Sequence, residues 1–189
     1  VTSYFERAAD ACPASFTALS ALADRYAGRS REREHAAVLR RILELEGGMS
    51  PLDEVQRCKD LADLLSKSLG EPRQAAGLLE RAIGRMTEYH EIIPVELHDV
   101  VRRKAVNVYK RLNENAMAVD HLRELYGSFL ERDVHGPTLA RLCEELGRMS
   151  ASLGRFEDAE QYFLTAVEED EEATSARLGF AELYVDTER

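Results

Sequence analysis

The chain has 189 residues, 44% of them hydrophobic, enough apolar material for one ordinary domain or a short stack of repeats and too much for a wholly disordered chain. No run of about 18 apolar residues is present, and no basic segment followed by an apolar stretch opens the chain, so neither a membrane span nor a secretory signal is expected. The net charge of −10 works against general affinity for nucleic acid or anionic membrane, and the three scattered cysteines, Cys12, Cys58 and Cys143, predict buried reduced thiols in a cytoplasmic protein rather than a disulfide framework.

From the N-terminus onward, apolar residues recur three and four places apart with little alternation of period two, as in Leu61, Leu64 and Leu65 and again in Leu78, Leu79 and Ala82. Helices are predicted at 2–11, 14–27, 31–46, 51–68, 72–89, 94–112, 115–131, 137–152, 156–169 and 173–186. Four of the five prolines, Pro13, Pro51, Pro94 and Pro137, are spaced by 38, 43 and 43 residues. Each is expected to open a helix, where the missing N–H would have no partner anyway. Ser50 reads as the N-cap of the helix beginning at Pro51, with Asp53 as the acid of its first turn. Gly28, Gly47, Gly48, Gly70 and Gly154 fall where turns are needed. Paired amphipathic helices joined by short turns cannot bury their own apolar faces, so neighbouring pairs should stack.

The segment Cys143, Leu146, Gly147, Ser150, Gly154, Ala159, Phe163 and Ala166 resembles a tetratricopeptide (TPR) repeat nearly position for position, with Ser150 in place of the usual Tyr. The small residues at 147 and 159 would let the two helices of a pair approach closely. A step of 34 residues from Gly147 and Ser150 leads to Ala181 and Tyr184, preceded by Phe180, in a following helix. Phe5, Ala8 and Pro13 match the close of a repeat. Leu19, Leu22, Ala23 and Tyr26 continue the count, followed by Leu39 and Ile42, with His35 where a small residue is usual. Two middle repeats are looser. Cys58, Leu61, Ala62, Leu65, Gly70, Ala75, Leu79 and Ala82 carry one extra residue in the turn, and Ala105, Val106, Tyr109, Ala118, Leu122 and Leu125 form the other.

The resemblance implies an all-α fold, an α-solenoid of antiparallel helix pairs wound as a right-handed superhelix. It forms one domain over 1–189: a half-repeat at 1–15, repeats near 16–54, 55–98, 99–139 and 140–173, and a half-repeat at 174–189. On this register the chain begins in a second helix and ends in a first one, as a piece of a longer solenoid would. The middle repeats exceed the usual 34 residues, and longer HEAT-like repeats are the structural rival.

Chemistry is not evident in the sequence. His35, His90, His98, His121 and His135 form no metal-binding pair and are expected at the surface or its boundary. The run Glu168–Glu172 reads as a solvated acidic loop. No phosphate loop or nucleophile elbow occurs, so no catalytic residue, metal or cofactor is expected. In the TPR family the first helix of each repeat lines a concave groove. The positions that the resemblance turns into it are Lys59, Lys67, Arg103, Asn107, Lys110, Arg111, Arg141 and Arg148. Arg103 and Asn107 are similar to the cation and Asn of the TPR carboxylate clamp, but Glu145 stands where its second cation would be. Two readings of this set remain: a basic groove that holds an acidic or extended partner peptide, or side chains paired with acids such as Asp63 and Glu144. RNA binding along the same face, self-association through the repeat ends and an all-helical enzyme are the other functional classes considered.

Overall fold

The computed structural model of the chain describes residues 2–27, 31–45 and 49–186. Gly28, Gly47 and Gly48, expected at turns, lie outside the described residues. Among the described residues ten α-helices follow one another: α1 (Thr2–Ala11), α2 (Phe16–Tyr26), α3 (Glu32–Leu43), α4 (Pro51–Leu64), α5 (Pro72–Glu88), α6 (Val95–Arg111), α7 (Asn115–Glu131), α8 (Pro137–Ser152), α9 (Phe156–Glu169) and α10 (Thr174–Asp186). Among the described residues there is no strand, and no helix is long and apolar enough to cross a membrane. The chain divides into two compact units, Val1–Val108 and Tyr109–Arg189, with the boundary inside α6.

Local chemistry sets the helix starts. Pro51 and Pro137 occupy the first turn of α4 and α8, and the fifth proline, Pro72, does the same for α5. At Pro51 the Ser50 hydroxyl accepts the Asp53 N–H at 3.1 Å and donates to the Asp53 carboxylate at 2.7 Å, satisfying an otherwise orphan helix donor. Pro13 behaves differently from the expectation. It lies in the turn before α2, whose N-cap is Ser15, accepting the Ala18 N–H at 3.3 Å, so this helix begins at Phe16 rather than at 14.

In the first unit each helix packs against the next in sequence from α1 to α5. Leu19, Leu39, Ile42, Leu61 and Leu79 are fully buried there. The extra residue foreseen in the α4–α5 turn is taken up by a π-helical turn, Leu65–Leu69, that extends α4. Gly70 follows at φ 70, and the Glu71 N–H closes on the Leu65 carbonyl at 2.8 Å. The equivalent closures in the second unit, Glu114 N–H to Tyr109 and Arg155 N–H to Ser150, both at 2.9 Å, span one residue fewer. A π turn inserts one residue without ending the helix. At the small position of α3, His35 is half-buried while its neighbour Ala36 is fully buried.

Glu54 of α4 is also buried. Its carboxylate accepts from Arg81 at 2.7 Å and Arg85 at 2.8 Å, both on α5, and Arg81 also donates to the Leu43 carbonyl at the end of α3. Burial alone would raise the carboxyl pKa, but the two guanidinium hydrogen bonds outweigh it and hold it below the ordinary range.

The second unit is built around Phe163 of α9. A Cβ on Gly147 of α8 would lie 2.8 Å from its ring, and one on Gly179 of α10 would lie 2.7 Å away. Both helices therefore approach the ring as only glycine permits. Here the structure corrects the 34-residue step. The buried positions of α10 are Ala176, Gly179 and Leu183, whereas Ala181 is exposed and Tyr184 is partly exposed, donating to Glu160 at 2.7 Å. Gly179 and Ala181 stand about 200° apart around the helix, and the close approach to Phe163 selects the glycine. Ser150, the departure from the usual Tyr, is fully buried with its hydroxyl unpartnered.

Three further expectations change. Cys12 is exposed in the bend after α1, while Cys58 and Cys143 are buried, their thiol pKa values pushed up by burial to about 11 and about 12. His121 is buried, its ring stacked on Tyr109 with centroids 5.4 Å apart. Glu169 is not a freely solvated member of the acidic run. Its carboxylate accepts the Gly136 N–H at 2.7 Å and meets His135 Nδ1 at 2.9 Å, while His135 Nε2 meets Asp133 at 3.1 Å.

Candidate functional site

The eight polar residues singled out in the sequence fall on α4, its π turn, α6 and α8. In the first unit, the Lys59 ammonium is 3.4 Å from Asp60, and its side chain is largely covered. Lys67 projects from the π turn and reaches Asp63 at 3.4 Å. The same carboxylate takes a shorter contact, 2.5 Å, from Lys104 Nζ. Asp63 thus gathers two cations, and Lys104 is not among the residues singled out from the sequence. Adjacent helical residues point about 100° apart, and nothing in the pair Arg103-Lys104 tells which one faces α4. Arg103 is partly covered, and Asn107, one turn on, is exposed.

The second unit brings three of the eight together. Lys110, Arg141 and Arg148 line one cavity of about 320 Å³ with Glu144, Glu145 and Met149. The spacing explains the grouping: residues 141, 144, 145 and 148 share one face of α8, while Leu142, Cys143, Leu146, Gly147 and Ser150 turn the other face inward. Lys110 enters from the end of α6 and donates to Glu145 at 2.9 Å. Arg148 meets Glu144 at 3.0 Å, and the Ser175 hydroxyl donates to the same carboxylate at 2.6 Å. Arg141 is exposed and has no hydrogen bond or ion pair among the described residues. Arg111 is exposed at the last position of α6 and does not line this cavity.

The cavity is therefore mixed in charge. Two of its three cations are held by carboxylates and one is uncommitted, in a unit that carries nearly all of the net charge of −10. Exposed ion pairs of this kind each contribute roughly 0.2–1 kcal/mol and exchange readily. Asp63 and Glu144, the acids named from the sequence as possible partners of the basic set, meet Lys67 and Arg148; the pairing of Lys110 with Glu145, which joins residues 35 apart, had no such signal.

A larger cavity, about 710 Å³, lies in the first unit, where Glu32, Arg33, Glu34 and Arg40 of α3 face Ser68, Leu69 and Glu71 around the π turn. The sequence carries no sign of it, because the π turn that shapes it shows there only as one surplus residue. Arg40 is engaged there by Glu71 at 3.1 Å and Gln74 at 3.0 Å. Among the described residues no group of His, Cys, Asp or Glu is arranged to hold a metal ion.

No protein-family model matches the sequence, and no curated protein matches it. Among solved structures, YrrB, described as a TPR protein with an unusual peptide-binding site, is similar over 100% of this chain and 86% of its own, at 14% identity and a TM-score of 0.64. A putative kinesin light chain from Podosopora anserina, with nearly identical TPR-like repeats, is similar over 94% of this chain and 89% of its own, at 16% identity and a TM-score of 0.63. MamA is similar over 89% of this chain and 80% of its own, at 18% identity and a TM-score of 0.61. These identities bear on the fold alone: the chain has the all-helical repeat architecture of the tetratricopeptide proteins.

Proposed function

We propose that this chain is a protein-interaction scaffold and that the α8 face bearing Lys110, Arg141 and Arg148 binds an acidic, extended segment of a partner protein. The observation that carries the reading is Arg141. A guanidinium with no partner of its own lines a cavity whose other two cations are already oriented by Glu145 and Glu144. A carboxylate arriving there gains a charge-assisted, bidentate hydrogen bond. It also finds Lys110 and Arg148 positioned beforehand, so little side-chain entropy is lost on binding. The fold is consistent with this use, and YrrB, one of the structural neighbours, is a TPR protein with a peptide-binding site.

Reversal of Arg141 to Glu tests the reading. Partner proteins recovered with the parent chain should be lost with Arg141→Glu and retained with Arg7→Glu, a reversal at an exposed position of α1. Equal recovery by both variants would remove α8 from consideration as the binding face.

A further inference from the structure

A second cavity, also about 320 Å³, adjoins the first and shares Arg148 with it. It is a slot between the C-terminal end of α8 and α10. Its lining includes the Phe163 ring, Leu183 and Phe156, and Ala151 adds only a methyl group on the α8 side. Phe163 and Leu183 form its buried floor, α10 closing on the ring at Gly179, and Phe156, 36% exposed, is its accessible apolar wall. Its charged lining residues are Arg148 and Glu182, and Ser152 is the other polar one.

The two cavities lie along one helix. Arg141 and Ala151 are ten residues apart in α8, about 15 Å at 1.5 Å per residue, a span that an extended chain covers in roughly four to five residues. A segment laid along α8 with a carboxylate on Arg141 therefore reaches the slot with a side chain about four residues away. Arg148, common to both cavities, stands beneath the stretch between and can donate to its backbone carbonyls. Glu182 in the slot's lining and the acidic surroundings disfavour a second carboxylate at that end, whereas an apolar side chain would lose its water-exposed surface against Phe156 and the Ala151 methyl.

We infer that the partner segment is bipartite: a carboxylate held by Arg141 and, about four residues along the chain, an aliphatic or aromatic side chain seated in the slot between α8 and α10. This rests on α8 being the peptide-binding face.

Fluorescence anisotropy on the full chain separates the two ideas. The probes are short labelled peptides with both ends blocked, carrying Asp and Leu separated by a Gly-Ser spacer of about three residues, the same peptide with Ala for Leu, and the same peptide with Asn for Asp. The inference expects replacement of Leu by Ala to weaken binding at least about tenfold. It further expects Ala151→Leu, which fills the slot, to abolish the advantage of the Leu peptide while leaving the Ala peptide's affinity unchanged. Equal affinities of the parent chain for the Leu and Ala peptides, both lost in Arg141→Glu, would overturn the bipartite inference and leave the α8 reading standing. No measurable binding of any peptide, or binding indifferent to Arg141→Glu, would overturn both. The comparison of peptides on the parent chain does not depend on how well Ala151→Leu folds.

Discussion

Two carboxylates in the two units show opposite uses of charge. Glu54 in the first unit is buried, with its side chain 8% exposed, and is held by two arginines of the neighbouring helix. Glu145 in the second unit meets Lys110 from a more open position, its side chain 25% exposed. A buried charge must be fully satisfied or it destabilises the fold, so Glu54 and its arginines are committed to structure. Lys110 is 45% exposed and Glu145 is partly so, and their pairing can be exchanged for a ligand's at little cost. The lesson is that an ion pair's exposure, more than its distance, separates a scaffold element from a binding element.

The largest difference between the units is expected in packing. Gly147→Leu should destabilise the second unit by about 3 kcal/mol, at the upper end for overpacking, because the rigid Phe163 ring already sits 2.8 Å from where its Cβ would be. Gly84→Ala in the first unit should instead stabilise by about 0.5–1 kcal/mol, since nothing lies within 4 Å of its Cβ. Denaturant melts of the two variants should move in opposite directions. A parallel shift would mean that the close approach of α8 to α9 is wrong.

Next in size are the carboxylates themselves. Glu54→Gln should lose about 2 kcal/mol by leaving two guanidinium groups without their counter-charge, a figure below that for a fully buried pair because both arginines are partly exposed. Glu145→Gln should stay within about 0.5 kcal/mol. Urea midpoints measured side by side would contradict the division of roles if the two losses were equal.

Ser150→Ala is expected to be neutral or stabilising by up to about 1 kcal/mol, since the buried hydroxyl it removes has no partner. A clear loss of thermal stability would show that the hydroxyl does have one.

The smallest effect should appear in pH dependence. Hydrogen bonds from Gly136 and His135 lower the Glu169 pKa from its ordinary 4.5, and Glu169 and Asp133 raise that of His135 from 6.5. The contribution of Glu169 is present above 4.5 and is lost as pH falls through its lowered value. That of His135 is complete below 6.5 and is lost as pH rises through its raised value. The clasp between Gly136 and α9 is thus strongest between pH 4.5 and 6.5. His135→Ala should flatten the melting temperature across neutral pH; an unchanged profile would show that the clasp carries no linked proton.

Much of the fold was legible in the sequence because helix formation is local. Capping chemistry at Ser50-Pro51, the proline at the start of α8 and apolar spacing of three and four marked the helices, most of them to within two residues of their ends. The surplus residue near Gly70 was visible as a count and became a π turn. The candidate site was less legible. Arg141 and Arg148 belong together by helical spacing alone, but Lys110 joins them only because the end of α6 meets α8 in space. The slot beside them depends on Gly179, two residues from the position chosen by repeat counting.

The sequence by itself therefore determined the helices, their pairing and the repeat architecture, since each follows from interactions among residues within a few turns of one another. Tertiary structure alone decided that Glu54 and His121 are buried, that Cys12 is exposed, which side of α10 meets Phe163, and which cation of the α8 cavity has no partner. Those outcomes turn on the approach of side chains from separate helices. Electrostatic pairing and close packing vary over a few ångströms, finer than any periodicity in the chain can specify.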